Sequence, residues 1–327
     1  VAEATNGAEA LEAIHRYNPD VITLDVAMPV MDGITTLKHI MIKAPRPVVM
    51  LSSLTLEGAR VAFDAMRYGA VDFISKPSSL NSSDLAKQEA EICSKIEYAV
   101  AVEVEAIKYI RNGTGEAACV SATGGGTCHK VVAMGAAEGG YGSLLKIIPR
   151  LHADLPASYL VTLYAAPEHV EAFAGYLNDN SAVQVKPAAH DEIIRPGVCY
   201  LSSGADYMSV NRRDGAYILQ VNPAPFASRK GALDMLLLSC ADAFGSDCVG
   251  VILSGLGGDG AEGLEEILHR GGTAIVQDPK TCLCKSMAQT ALERCGPGLV
   301  SADADIASAL ARNSGSNHTA VVQEAVG

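Results

Sequence analysis

Short apolar runs alternate with amphipathic segments over the first 77 residues of this chain. Parallel strands need a crossover connection, and a helix is its usual form, so strands that alternate with helices predict a parallel sheet covered on both faces. The sequence therefore predicts a doubly wound α/β domain here. The predicted helices are residues 7–17, 35–42 and 57–68, and the predicted strands are residues 21–24, 48–51 and 73–74.

The strand count of this first region is one short. A doubly wound domain of this type normally has five strands, and we find four even when Val1 and its neighbours are counted. The chain also begins at Val1 without a methionine, inside the periodic pattern. We therefore expect that the start is truncated and that the first strand of the domain lies upstream.

Composition shifts divide the rest of the chain. Residues 82–111 have a long helical pattern that opens with serine and aspartate as capping residues. The glycine-rich sequences G-T-G-E and T-G-G-G-T follow within residues 112–130 and indicate a flexible linker. The strand and helix alternation then returns up to residue 312, interrupted near residues 198–221 by an expected antiparallel insertion. We predict two doubly wound, mostly parallel α/β domains. The predicted divisions are residues 1–80, a connector at 81–130, a second domain at 131–312 and a flexible tail at 313–327.

Charge and composition narrow the possible partners. Of the 327 residues, 49% are hydrophobic and 19% are charged, which indicates globular domains. The formal net charge of -12 disfavours nucleic acid as a partner, because phosphate backbones select for clustered lysine and arginine. No apolar stretch is long enough for membrane insertion. The nine cysteines are odd in number and form no C-x-x-C pair, so we expect a reducing, cytoplasmic location.

Three polar side chains are predicted to stand at the carboxyl ends of neighbouring strands. Asp25 follows V-I-T-L, Ser52 follows V-V-M-L, and Lys76 follows F-I-S. Ligands bind at this edge of a doubly wound sheet. A phosphorylated aspartate needs a cation to balance its added charge and a hydroxyl near its oxygens, which Lys76 and Ser52 supply. The set predicts a phosphorylation site, although Asp25 considered alone is more commonly a helix or turn cap.

The motifs around these residues resemble the receiver domain of two-component response regulators. They are D-x-x-M-P-x-M-D-G at residues 25–33 and K-P at residues 76 and 77. The resemblance implies a flavodoxin-like fold and a histidine kinase as phosphodonor. It also implies that Asp25 is the phosphoacceptor, Ser52 the switch hydroxyl, Lys76 the charge sensor and Phe73 the aromatic whose rotamer follows the phosphorylation state.

The same resemblance implies a magnesium ion. Receivers hold Mg²⁺ with an acidic pair at the end of their first strand, and that strand lies before Val1. In this chain Asp25 and the Ala27 carbonyl remain as oxygen ligands for the ion, whose preferred geometry is octahedral. We expect Mg²⁺ at the receiver site of the full-length protein. We also expect that a chain beginning at Val1 is not phosphorylated normally.

Three segments of the second half resemble the catalytic domain of the CheB-type chemotaxis methylesterases. They are V-V-A-M-G-A-A-E-G-G-Y-G-S at 131–143, L-V-T-L-Y-A-A-P-E-H at 160–169 and G-V-I-L-S-G-L-G-G-D-G-A-E-G-L at 250–264. The order of receiver, linker and this domain is similar to that family over nearly the whole chain. The family hydrolyses glutamate methyl esters and deamidates glutamines on chemoreceptors.

The resemblance implies a Ser-His-Asp triad, and this sequence departs from it. The positions implied by the three segments are Ala137, Tyr164 and Asp259. Alanine has no nucleophilic atom, and a phenol with an ordinary pKa near ~10 is a poor base at neutral pH. Leu256 stands where the family usually has methionine, and the usual H-M-P is missing from the second segment. We therefore expect that ester hydrolysis by the family mechanism is absent.

Three other side chains are possible substitutes for the missing groups. Glu138 adjoins the position without a nucleophile, at a predicted helix N-terminus where a carboxylate more commonly stabilises the first turn. His169 lies five residues beyond Tyr164 and is expected at a surface or boundary. Ser143 is expected to point elsewhere. Asp259, without a histidine to orient, is expected to cap its own helix or complete its glycine loop.

Two functions remain open. The first is a chemotaxis response regulator whose methylesterase-like domain lacks catalysis and docks the cytoplasmic helices of a chemoreceptor. The alternative is an active protein-glutamate methylesterase or amidase that uses residues outside the family triad. A purely structural scaffold is disfavoured because Asp25, Ser52 and Lys76 are all present.

Overall fold

The computed structural model describes residues 1–53, 56–76, 82–102, 128–223, 231–296 and 298–315. In the first domain, a three-stranded parallel sheet has the order β1-β2-β3. The predicted strands and helices of this region are confirmed to within about two residues at each end. The elements are α1 (Gly7–Tyr17), β1 (Ile22–Asp25), α2 (Gly33–Lys43), β2 (Val48–Ser52), α3 (Leu56–Arg67) and β3 (Asp72–Ser75).

Local sequence signals explain where the first helices begin. The Asn6 side chain accepts a hydrogen bond from the Glu9 backbone N–H at 3.1 Å, which caps α1. Asp32 accepts in the same way from Thr35 at 2.7 Å and caps α2. Gly33 is required beside it, because a Cβ there would lie 2.0 Å from the carbonyl oxygen of Asp25. The D-G pair thus sets the close approach of α2 to the end of β1.

Two predictions about the first half are wrong in their extent. The residues around Val1 form no strand, so this sheet has three strands within the described residues. The long helix α4 (Ser82–Val100) ends well before residue 111. Residues 103–127, which include most of the predicted linker, and residues 316–327 of the predicted tail lie outside the described residues.

A seven-stranded sheet forms the second domain. The strands are β4 (Lys130–Ala136), β5 (Ala157–Leu163), β6 (Gln184–Pro187), β8 (Val198–Ser203), β11 (Cys248–Ile252), β12 (Thr273–Gln277) and β13 (Leu299–Ser301). Their order in the sheet is β13-β12-β11-β4-β5-β8-β6, and every pairing is parallel. The helices are α5 (Gly140–Ile147), α6 (Pro167–Asn178), α7 (Ala232–Phe244), α8 (Ala261–His269), α9 (Ser286–Cys295) and α10 (Asp303–Gly315).

The predicted antiparallel insertion exists but is placed differently. It consists of β7 (Glu192–Ile193), β9 (Asp206–Arg213) and β10 (Ala216–Pro223), in the order β7-β10-β9. Asp214 and Gly215 both have positive φ, as a two-residue hairpin turn requires. The strand β8, which the sequence placed within the insertion, belongs to the parallel sheet. Its six residues are all buried, so no solvent-facing alternation marked it.

The two domains share part of their hydrophobic core. Five buried rings form an interdomain aromatic cluster in which centroid distances range from 4.9 to 5.8 Å. Its members are Phe63 and Phe73 of the first domain and Tyr141, Phe173 and Tyr176 of the second. Buried aromatic area is a large contribution to any interface, so the cluster fixes how the first domain sits on α5 and α6. Within the described residues, no helix is both long and apolar enough to span a membrane.

Candidate functional site

The carboxylate of Asp25 is paired with the ammonium group of Lys76 at the end of the first sheet. Lys76 Nζ lies 2.5 Å from Asp25 Oδ2, and the other carboxylate oxygen accepts from the Ala27 backbone N–H at 3.1 Å. About a third of the Asp25 side chain is exposed to solvent. The predicted pair is therefore brought together, with Asp25 also acting as the turn cap that the sequence allowed.

Ser52 and Phe73 lie beside this pair but are engaged elsewhere. The buried Ser52 hydroxyl donates to the carbonyl of Gly58 at 2.7 Å, so it is turned towards α3. Phe73 is 2% exposed and belongs to the interdomain aromatic cluster. Lys95 donates to the Phe73 carbonyl at 2.7 Å and places its ammonium group 5.2 Å from the ring centroid. A change at either residue must first break these contacts.

The described residues do not by themselves form a magnesium site. No cluster of three or more acidic, histidine or cysteine side chains is placed to hold a metal among them. Asp25 contributes one carboxylate, and one of its oxygens already pairs with Lys76. Because Mg²⁺ prefers six oxygen ligands, Asp25 and the Ala27 carbonyl fit only part of its coordination shell.

The glycine-rich turn of the second domain displays Ala137. Its backbone N–H donates to the carbonyl of Ser254 at 2.9 Å, and its methyl group is buried. Gly139 has a positive φ of 76° and precedes the first residue of α5. A Cβ at Gly139 would lie 2.6 Å from the side chain of Leu283, so glycine is needed both for the turn and for the close approach. The turn has the geometry of a strand-to-helix bend without a reactive side chain at Ala137.

Tyr164 and Asp259 meet beside this turn. The Tyr164 hydroxyl donates a hydrogen bond to Asp259 Oδ2 and accepts one from the Ala232 backbone N–H at 3.2 Å. Asp259 also accepts from the N–H groups of Leu233 and Asp234, at 3.0 and 3.2 Å. Burial is the main reason that the pKa of Tyr164 is raised well above its usual value, and the bond to Asp259 adds to the shift. The phenol therefore stays protonated at neutral pH.

Asp259 and Asp234 cap each other's helices. Asp259 precedes α8 and accepts from the first turn of α7, while Asp234 in that turn accepts from Gly263 of α8 at 2.8 Å. The helix that the Asp259 carboxylate caps is α7, whereas the sequence placed this cap on the helix that follows Asp259. Burial raises the pKa of Asp234 to about 6, with the nearby Asp259 carboxylate also contributing.

The three possible substitute residues have structural partners. Glu138 Oε2 accepts from the Leu256 N–H at 3.1 Å, which joins the two glycine-containing loops. The buried Ser143 hydroxyl donates to Gln277 at 2.9 Å. His169 lies at the boundary between the domains, where a hydrogen bond of 2.9 Å joins its Nε2 to Ser75 Oγ. None of these bonds joins its residue to Ala137, Tyr164 or Asp259.

A buried polar network that sequence reasoning missed supports the turn. The Ser254 hydroxyl donates to the carbonyl of Glu138 at 2.9 Å and accepts from the Cys284 N–H at the same distance. Gln277 accepts from the Ser254 N–H at 3.0 Å. Ser254 lies two residues beyond the end of β11 and Gln277 ends β12, so polar residues at or just past the ends of two apolar strands were the available signal.

Comparison with known proteins agrees with this arrangement of two α/β domains. A model of the CheB methylesterase family matches residues 132–310. The chain belongs to the CheB methylesterase family. A second model, of the response regulator receiver domain, matches residues 1–87. The chain therefore has the receiver and the methylesterase domain of CheB-type proteins, in that order.

Alignments with related proteins extend over most of this chain and include both domains. A protein-glutamate methylesterase/protein-glutamine glutaminase of Pyrococcus abyssi is 37% identical, and the match covers 89% of this chain and 80% of that protein. One of the same name from Archaeoglobus fulgidus is 39% identical, with 90% and 84% covered. The crystal structure of the Thermotoga maritima CheB methylesterase catalytic domain has a TM-score of 0.54 and 28% identity, and covers 56% of this chain and 97% of that one.

Proposed function

We propose that this CheB-family chain is a response regulator phosphorylated on Asp25, with a methylesterase domain that no longer hydrolyses esters. One observation carries the proposal. The displayed residue of the turn is Ala137, and the residue that contacts Asp259 is a protonated tyrosine, Tyr164. The fold of the hydrolase is retained, while two of the three groups that its chemistry requires are replaced.

The absence of a nucleophile at Ala137 supports the loss of activity most directly. A triad enzyme forms a covalent acyl intermediate through an oxygen or sulfur atom, and a methyl group has neither. Removing the nucleophile of a triad lowers kcat by about a million-fold in a well-studied serine protease, and removing further triad members adds little. Substrate binding and backbone donors of the turn would then remain without the chemical step.

The position of the general base also argues against catalysis, whichever residue of the second segment, 160–169, is aligned with the histidine of the family. The structure favours Tyr164, because its hydroxyl reaches Asp259. If Pro167 is instead matched to the proline of H-M-P, the histidine position falls on Ala165. Neither residue carries an imidazole, and the raised pKa of Tyr164 works against proton abstraction at neutral pH.

The contacts of Glu138 argue against the alternative of an active esterase or amidase. Glu138 is the candidate nearest to the turn, yet one of its carboxylate oxygens accepts from the backbone of Leu256. Using it as a base or nucleophile would break the contact between two loops. The bond is more consistent with a structural role for Glu138.

The pair of Asp25 and Lys76 supports the receiver function. A histidine kinase would transfer a phosphoryl group from its histidine to an Asp25 oxygen, which forms an acyl phosphate and releases the neutral imidazole. The added negative charge would lie against the Lys76 ammonium group, which is already in contact with Asp25. Mg²⁺ would supply charge neutralisation at this site, with Asp25 and the Ala27 carbonyl among its ligands.

The retained methylesterase fold supports a binding role towards chemoreceptors. The related archaeal proteins are named for acting on protein glutamate and glutamine residues. A domain that keeps this fold without catalysis would dock the cytoplasmic helices of a receptor and shield modification sites from other enzymes. The phosphorylation of Asp25 would control this docking.

Methanol release from methylated chemoreceptor tests the loss of catalysis. We expect no turnover by the full-length protein, and activity to appear in the double variant Ala137→Ser with Tyr164→His or in Ala137→Ser with Ala165→His. The difference between the two double variants identifies the true base position. Turnover by the unmodified protein that Glu138→Gln abolishes would establish the active alternative instead.

Labelling from a small phosphodonor tests the receiver separately. The full-length protein with Mg²⁺ is expected to incorporate one phosphoryl group, which Asp25→Asn removes. Asp20→Asn is a matched control on the same domain, outside the pair with Lys76. Equal labelling of the protein and its Asp25→Asn variant would overturn the assignment of Asp25.

A further inference from the structure

A hydrogen bond connects the phosphorylation site of the first domain to α6 of the second. Ser75 lies between Phe73 and Lys76 in the sequence, and its hydroxyl is 2.9 Å from His169 Nε2. The His169 ring also packs edge-on against Phe73, with 5.0 Å between the ring centroids. One side chain of the second domain thus contacts Phe73 and Ser75, two alternate residues of β3.

The backbone around His169 continues towards the triad positions. His169 is in the first turn of α6, and its N–H donates to the carbonyl of Ala166 at 3.0 Å. The segment before it carries Tyr164, which bonds to Asp259 through its side chain and to the Ala136 carbonyl through its backbone N–H at 2.9 Å. A displacement of His169 therefore acts on the segment that holds both Tyr164 and the glycine-rich turn.

We infer that His169 is a positioning residue that couples phosphorylation at Asp25 to the segment 164–166 of the methylesterase domain. The inference rests on the proposed phosphorylation of Asp25 and names the residue through which the two domains communicate. His169 holds β3 in its unphosphorylated arrangement through Ser75 and Phe73. A rearrangement of Lys76 and Phe73 on phosphorylation requires the contacts of His169 with Ser75 and Phe73 to break.

Other contacts keep the domains together when this bond is absent. Tyr176 of the second domain donates to Asp64 of the first at 2.5 Å. The interdomain aromatic cluster lies directly behind them. Loss of the bond between His169 and Ser75 therefore changes the coupling and leaves the domains docked.

Space for the movement is present beside the bond. A cleft of about 720 Å³ lies between the domains and is lined by Ser52, Ser75 and His169, among other residues. The charged side chains that share this cleft are Arg60, Glu168, Glu171, Asp179 and Lys186. An imidazole released from Ser75 can enter the cleft without a clash with the core.

Coupling through His169 must be reciprocal, which makes it measurable at Asp25. If the contact favours the unphosphorylated arrangement, its removal favours the phosphorylated one by the same free energy. A net hydrogen bond of ordinary strength corresponds to a shift of about three- to tenfold in the equilibrium. The phosphorylated fraction at limiting phosphodonor should rise by that factor.

The experiment compares phosphorylated fractions of the full-length protein with those of His169→Phe, Ser75→Ala and the double variant. His169→Phe keeps a ring on Phe73 and removes the hydrogen bond. We expect each single variant to raise the phosphorylated fraction about three- to tenfold. The double variant should add nothing further, because each single variant already removes the bond between Ser75 and His169. Glu171→Gln, an exposed residue of the same cleft, should match the unmodified protein.

The ¹⁵N chemical shifts of the His169 ring provide a second readout, and they are expected to change when the unmodified protein is phosphorylated. Unchanged phosphorylated fractions in both single variants, unchanged ring shifts, or fully additive effects would each overturn the role of His169. Absence of label in the unmodified protein would instead overturn the proposed phosphorylation of Asp25. A His169→Phe protein that fails to fold leaves Ser75→Ala and the ring shifts to decide.

Discussion

The hydroxyl of Tyr164 donates a hydrogen bond to the carboxylate of Asp259, across 95 positions of the sequence. In a working triad the aspartate would orient a histidine that accepts a proton from the nucleophile. Here the carboxylate orients a phenol and, at the same time, accepts from two N–H groups of α7. The Asp259 carboxylate thus has a partner on each oxygen, and these partners make it a structural residue.

Replacement of Tyr164 by phenylalanine tests how much this bond stabilises the fold. The change removes the phenol donor and keeps the ring, so Asp259 Oδ2 retains only the bond from Leu233. We expect the free energy of unfolding to fall by about 1.5–3 kcal/mol, the usual contribution of a hydrogen bond to a charged group. Urea unfolding measures it, and Tyr17→Phe at an exposed position is the control. An unchanged midpoint would show that the bond contributes nothing.

The carboxyl group of Asp234 should make stability depend on pH in the mildly acidic range, from about 4 to about 6. Its pKa is raised to about 6 in the folded protein, by burial and then by Asp259, above the unfolded value near ~3.9. The folded state therefore binds the proton more tightly, so this group favours folding below pH ~4, and the gain is lost as the pH rises through about 6. Asp234→Asn, which keeps the acceptor for Gly263, should remove this dependence.

Urea midpoints at pH 5 and pH 7.5 check that expectation. Other titrating groups contribute to both proteins, so the relevant quantity is the change in stability of the unmodified protein minus that of Asp234→Asn. We expect the unmodified protein to lose more stability between the two pH values. Asp242→Asn is the control, because Asp242 lies on the same helix with an exposed side chain. An equal loss in the unmodified protein and in Asp234→Asn would show that Asp234 titrates as it does in the unfolded chain.

Local signals were sufficient for most of the fold. The helix at residues 7–17 was predicted with its observed bounds from its amphipathic pattern. The end of α4 at Val100 was not predicted, since the helical pattern continues beyond it. The placement of β8 failed for another reason. Its pairing with β5 and β6 is a long-range property that a short apolar run does not encode.

In the candidate sites, too, some contacts could be predicted from local sequence and others depend on long-range packing. The pairing of Asp25 with Lys76 was predicted because parallel strands bring their carboxyl ends together. The bond from Ser52 to Gly58 was not, since a hydroxyl at a strand end has several acceptors in reach. The contact of His169 with Ser75 depends on how two domains dock. No local pattern in either segment specifies such a contact.

A strained residue in the segment between β1 and α2 offers a gain in stability. Val30 has a φ of 63°, is almost fully exposed, and stands between Pro29 and Met31, whose N–H donates to the Pro29 carbonyl at 2.6 Å. A branched side chain is disfavoured in this backbone region, and glycine is not. Val30→Gly should raise the free energy of unfolding by about 1 kcal/mol, after the entropy that glycine adds to the unfolded chain. Thermal unfolding measures it, and a lower midpoint would contradict the argument.

The polar contacts of the domain interface should matter much less than its aromatic cluster. Arg60 and Asp179 pair across the interface, but more than half of each side chain is exposed. An exposed pair of this kind contributes about 0–1 kcal/mol. Arg60→Ala should therefore leave the unfolding midpoint nearly unchanged, which makes it a suitable control for substitutions in the cluster.

Phe173→Ala is expected to uncouple the two domains. The Phe173 ring is fully buried and lies 4.9 Å from the rings of both Phe63 and Tyr141, so it bridges the domains. Its loss should cost about 3–5 kcal/mol through lost burial and a cavity. Because the shared core makes the domains unfold together, calorimetry should show one transition for the unmodified protein and two for Phe173→Ala. A single transition in Phe173→Ala, shifted no more than in Arg60→Ala, would show that the cluster does not hold the domains together.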